Sequence, residues 1–129
     1  MRTKLPDRRY SSTVRVPWSR YDGKGINIYV TIGFDTEGKA KEVFCADFKA
    51  GSANQAIVMD TCILISRLLQ HGDLPSELKA SMCEPPSLIG TIAEAIRREE
   101  VLMRVDSHMY ADIKEIYDLA NSWKWSPTV

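Results

Sequence analysis

Several things are scarce in this 129-residue sequence, and each scarcity closes a route. Long apolar runs are missing: the longest, residues 56–69, is broken by Asp60 and Arg67, so no membrane span is expected. The opening stretch MRTKLPDRRYSS has no apolar core, and no secretory leader is expected either. Net charge is absent, with 17 basic against 17 acidic side chains, so nothing points to a bulk polyelectrolyte partner. Cysteine is sparse: Cys45, Cys62 and Cys83 are odd in number and form no CxxC pair. That excludes a disulfide framework or zinc ribbon and suits a reducing compartment, so a cytoplasmic protein is expected. Only two histidines occur, His71 and His108, and neither stands in a Ser/His/Asp or Cys/His pattern. No phosphate-loop or dinucleotide spacing occurs. The sequence therefore assigns no catalytic residue, no metal site and no cofactor.

What remains is ordinary globular composition, 44% hydrophobic and 26% charged, in a chain of one-domain size. Charge is unevenly spread. Residues 1–25 hold seven basic side chains (Arg2, Lys4, Arg8, Arg9, Arg15, Arg20, Lys24) against Asp7 and Asp22. A basic arm on an acidic body suits either a nucleic-acid contact or a segment lying across its own body.

The segment INIYVTIGFD alternates with period two, placing Ile26, Ile28, Val30 and Ile32 on one face and Asn27, Tyr29, Thr31 and Gly33 on the other. That is a strand with one buried face. DTEGK supplies a turn, with Gly38 free to take positive φ, and KAKEVFCADF is a second strand. SSTVRVPW is a candidate third strand, ended by Pro17.

A long helix follows, capped by Ser52 or Asn54 and stopped at Gly72. Its apolar residues, Ala56, Ile57, Met59, Cys62, Ile63, Leu64, Leu68 and Leu69, cover so wide an arc that it is expected at the centre of the core. Pro75 starts a short helix, and Ile89, Ile92, Ala93 and Ile96 mark another that Ser87 caps. A last helix is expected behind Ser107, with Met109, Ile113, Ile116, Ala120 and Trp123 on one stripe. Strands precede helices, so the class is α+β: an antiparallel hairpin or three-stranded sheet packed on a central helix, with further helices C-terminal to it. The expected organisation is a basic N-terminal arm and candidate edge strand (1–25), an α+β domain (26–105), and a C-terminal amphipathic helix and tail (106–129).

The order strand, turn, strand, Gly-Ser loop, long helix, short helix, cysteine, small-residue helix resembles the TSCPD domain. The residues carrying the likeness are IYVTIGFDTEGKAKEVF (28–44), KAGSANQA (49–56), LISRLLQHGDLPSEL (64–78) and MCEPPSLIGTIAEAI (82–96), within residues 26–100. That family is best known as a C-terminal region of adenosylcobalamin-dependent ribonucleotide reductases and also occurs as small separate proteins. The resemblance implies a link to ribonucleotide reduction or DNA metabolism through protein contact. At the naming motif this chain reads Pro86-Ser87-Leu88-Ile89-Gly90, so only the serine matches and the cysteine position holds Leu88. Cys83 sits where the reductase domains also tend to carry a cysteine. A reductase barrel alone needs several hundred residues, so these 129 are not expected to reduce nucleotides by themselves.

The leading expectation is a non-catalytic binding or accessory module with a protein partner. Met109, Ile113, Ile116, Trp123 and Trp125 are interface candidates, for a second subunit among others, and an open strand edge offers another pairing surface. A second reading is a small nucleic-acid- or nucleotide-binding protein. Lys49, Gly51, Ser52 and Asn54 surround a helix start suited to an anion. Arg8, Arg9, Arg15, Trp18 and Arg20 interleave charge with rings as single-strand binders do. A third is a small enzyme whose site assembles only in space.

Overall fold

The computed structural model describes residues 2, 5, 10–19, 25–48 and 51–108. Three strands, β1 (Ser11–Ser19), β2 (Gly25–Phe34) and β3 (Ala40–Phe44), precede three helices, α1 (Ala53–Gln70), α2 (Pro75–Ala80) and α3 (Leu88–His108). The sheet is antiparallel in the order β1-β2-β3, and with the helices behind it the fold is α+β.

The period-two pattern of β2 does what alternation demands. Ile28, Val30 and Ile32 are buried to 1% exposure or less, while Tyr29 between them is 52% exposed. Val16 on β1 and Val43 on β3 extend the same inner face. Helix α3 lies across it, burying Ile92, Ala95 and Ile96, and α2 packs on α3. Two α3 carboxylates tie helix to sheet: Glu100 Oε2 accepts from the Ala40 amide at 2.8 Å, and Glu99 Oε1 accepts from Ser12 Oγ at 3.2 Å.

Local backbone chemistry sets the element ends. Gly38 takes φ 81° in the β2–β3 turn, and Gly72 takes φ 110° just past α1. Ser52 Oγ caps α1 by accepting from the Gln55 amide at 3.1 Å. Pro75 opens α2, where its missing N–H costs nothing. Strand β1 does not stop at Pro17, as the sequence suggests, but continues to Ser19. It is an edge strand, the position in a sheet that tolerates proline. Helix α3 likewise runs through Ser107 to His108, and the rest of the helix expected behind Ser107 lies outside the described residues.

Candidate functional site: the two sides of helix α1

Helix α1 departs most from expectation. It is not enclosed by the core. One face buries Val58, Cys62, Ile65, Ser66, Leu69 and Gln70. On the others, Ile57 is 59% exposed, Met59 45%, Ile63 57%, Leu64 61% and Leu68 44%. Apolar residues on nearly every side of a helix imply burial on every side, yet among the described residues α1 packs mainly on β3, whose outer edge it flanks, while α3 covers the sheet.

The buried face explains why α1 sits there. Val43 donates its amide to Ser66 Oγ at 2.9 Å, and the Ser66 hydroxyl lies 2.8 Å from the Cys62 carbonyl. Gln70 Nε2 donates to the Lys41 carbonyl at 3.0 Å, and Lys41 Nζ returns to the Leu69 carbonyl at 3.0 Å. The Cys45 amide is directed at the Cys62 thiol. Residues 66 and 70 of the helix thus meet residues 43 and 41 of β3, and Cys62 lies beside Cys45 just past the strand's end. The match is geometric: four helical residues advance about 6 Å and two strand residues about 6.6 Å, so the two ladders stay in step. Polar side chains of α1 replace the fourth strand that β3 would otherwise seek.

Between this seam and the surface lies a groove of about 410 Å³, lined among others by Phe44, Cys45, Met59, Cys62 and Ile63, with Arg2 and Arg67 at its polar side. Arg2 Nε donates to Gln70 Oε1 there, so the Arg2 side chain lies against the end of α1. The groove brings together two thiols that sequence spacing kept apart. Burial pushes Cys62 up from 9.0 to about 12, helped by the nearby Cys45, while the Cys45 amide pulls the other way. Burial also raises Cys45; the Asp47 amide opposes this and the Asp47 carboxylate adds to it. Both thiols are therefore kept protonated and poorly nucleophilic at neutral pH. Among the described residues, no group of three or more His, Cys, Asp or Glu stands where it could hold a metal ion.

The sequence-selected sites fare differently. At the start of α1, the Gly51 amide donates to Gln55 Oε1 at 2.8 Å, the Gln55 amide is taken by Ser52 Oγ, and the Ala56 amide by the Ser52 carbonyl. The loop thus spends several amides on its own cap. Asn54 is exposed, and Lys49 lies outside the described residues. Arg15 and Trp18 fall on opposite faces of β1: Arg15 is exposed, whereas Trp18 shares the face of Val16 and is half-buried. Arg8, Arg9 and Arg20 lie outside the described residues, as do Met109, Ile113, Ile116, Trp123 and Trp125.

The corner MCEPPSLIGTI is a helix joint. Ser87 Oγ accepts from the Gly90 amide at 3.1 Å and its carbonyl from the Thr91 amide at 2.9 Å, while Leu88 packs against the core. Cys83 is exposed, and beside it Glu84 pairs with Lys79 at 2.8 Å. No helix of the described residues is long and apolar enough to cross a membrane.

A family model, the TSCPD domain, matches residues 2–100 of the chain. The match takes in β1 and the basic segment as well as the strands and helices on which the resemblance rests. Neither a curated protein nor a solved structure matches.

Proposed function

Because this chain belongs to the TSCPD domain family, we propose that it is a non-catalytic accessory module that works by protein–protein contact, in the setting of ribonucleotide reduction or DNA metabolism. The observation that carries the reading is the outward side of α1, where five large apolar side chains stand 44–61% exposed on one helix. Single exposed apolar residues are ordinary, but several on one rigid element mark a contact surface. Leu74, 45% exposed beyond the helix end, and Phe44, 55% exposed beside the groove, flank it.

The site offers little to a catalytic reading. Its two thiols are held protonated, and the cysteine position of the family motif is a helix-capping corner with Leu88 in it. A nucleotide or nucleic-acid role draws less support than protein contact. The Gly51 amide closes on the Gln55 side chain and the Gln55 amide on Ser52 Oγ, and Trp18 lies on the face of β1 opposite Arg15.

The test is affinity capture from the native host with the tagged full chain and with an Ile57→Ser/Leu64→Ser/Leu68→Ser variant. A defined partner from nucleotide-reduction or DNA-metabolism machinery, retained by the natural chain and lost by the variant, is expected. Equal retention by both, or partners unconnected with those processes, contradicts the reading.

A further inference from the structure

The outward side of α1 is self-complementary. Seen down the helix, its outermost ridge carries Ile57, Leu64 and Leu68 on one flank and Asp60 and Arg67 on the other, all exposed. Among the described residues, neither Asp60 nor Arg67 makes an ion pair. The midpoint of Asp60 and Arg67 falls between Ile63 and Leu64. The midpoint of Ile57 and Leu68 falls between Cys62 and Ile63. The charged pair and the apolar pair are thus each nearly symmetric about Ile63, and of opposite character on the two flanks.

We propose that this face binds the same face of a second copy of the chain, the two α1 helices packing antiparallel about a two-fold axis that crosses them near Ile63. A two-fold contact is isologous, so residue i of one copy meets residue j of the other and j meets i. Antiparallel packing about that axis sets Asp60 of each copy beside Arg67 of the other along one flank. It sets Ile57 beside Leu68 along the second flank, with Ile63 and Leu64 near the axis. A parallel two-fold arrangement instead sets the charged flank of each copy against the apolar flank of the other and leaves Asp60 and Arg67 unpaired, so the charges select the antiparallel one. Strand pairing through β3 is not a competing route, because Ser66 and Gln70 already occupy that edge. Helix α1 is 18 residues, about 27 Å, long enough for an extended contact with Phe44 and Leu74 at its rims. The inference rests on reading the outward side of α1 as a protein contact, and names its occupant.

The experiment is sedimentation equilibrium on the full chain and on Asp60→Arg, Arg67→Asp and the double exchange, up to about 0.1 mM, where a contact of standard size is well populated. The natural chain should be a dimer. Each single reversal should weaken association by about tenfold or more, by setting like charges together, and the double exchange should restore it. A melting curve on each variant at high dilution confirms the fold, since both positions are exposed. As a second measurement, Leu64→Cys in a Cys83→Ser background should form a disulfide-linked dimer under mild oxidation, because residue 64 lies beside the axis. A monomer at all concentrations overturns the dimer, as does a dimer indifferent to the single reversals. A double exchange that fails to restore association overturns the antiparallel register. A monomeric chain whose α1 variants still lose a heterologous partner removes the dimer while leaving the docking reading intact; a monomer whose variants lose nothing removes both.

Discussion

Gly33 stands opposite Glu42 across the β2–β3 ladder, and the Glu42 side chain fills the space that a Cβ on residue 33 would occupy. An added methyl there would lie 2.5 Å from Glu42 Cγ and 2.8 Å from Cδ. Glu42 is only 8% exposed, so it cannot simply swing into solvent. Gly33→Ala should therefore destabilise the fold by about 1–3 kcal/mol, the usual cost of forcing a packed side chain aside. Urea unfolding checks it. In a Glu42→Ala background the same substitution should cost much less, and a double-mutant cycle reads the difference as coupling.

The seam between α1 and β3 gives a second expectation. Ser66→Ala leaves the buried Val43 amide without its acceptor, which should cost about 1–3 kcal/mol. Hydrogen exchange should localise the loss, with the Val43 amide exchanging faster and amides in β1 unchanged. Ser66→Thr, which keeps the hydroxyl, should recover part of the stability.

Thiol chemistry should divide the three cysteines. Cys83 is exposed, whereas Cys45 and Cys62 are buried. Intact-mass measurement during iodoacetamide treatment at neutral pH should show one fast alkylation, abolished by Cys83→Ser, and two that proceed only in denaturant. The same raised values fix a pH trend. A thiol whose folded value lies above its unfolded one favours the folded state while both are protonated. That contribution is complete below the unfolded value of 9.0 and is lost as pH rises toward about 12 for Cys62. Stability of a Cys62→Ser variant relative to the natural chain should therefore look better at pH 10.5 than at pH 7.5.

Much of this fold is legible in the sequence because it is written in local backbone terms. β2 alternates cleanly since one face is wet. Gly38, Ser52, Gly72, Pro75 and Ser87 each act through φ or a capping bond that depends on near neighbours alone. The orientation of α1 is not legible in that way. Apolar residues surround it, and hydrophobicity cannot distinguish a side that meets the core from one that awaits a partner. The signal that does distinguish them is polar: Cys62, Ser66 and Gln70 recur every four residues, and those are the residues that meet the β3 edge and Cys45 just past it. The proximity of Cys45 and Cys62 depends on that same docking, so spacing along the chain conceals it. Pro17 and Ser107 mislead for a related reason. Both are good element-ending residues, but an edge strand tolerates the first, and the second lies within a turn that α3 simply continues through.

The most direct test of the central claim is Leu64→Lys in the full chain, read by chemical unfolding at high dilution and by sedimentation at high concentration. An outward-facing residue should tolerate the charge, with unfolding free energy within about 0.5 kcal/mol of the natural chain. The assembled mass should fall from dimer to monomer. A loss of several kcal/mol at high dilution would mean that the chain's own core covers Leu64, and an unchanged mass would mean that contact is made elsewhere; either result contradicts the assignment of α1 as the docking face.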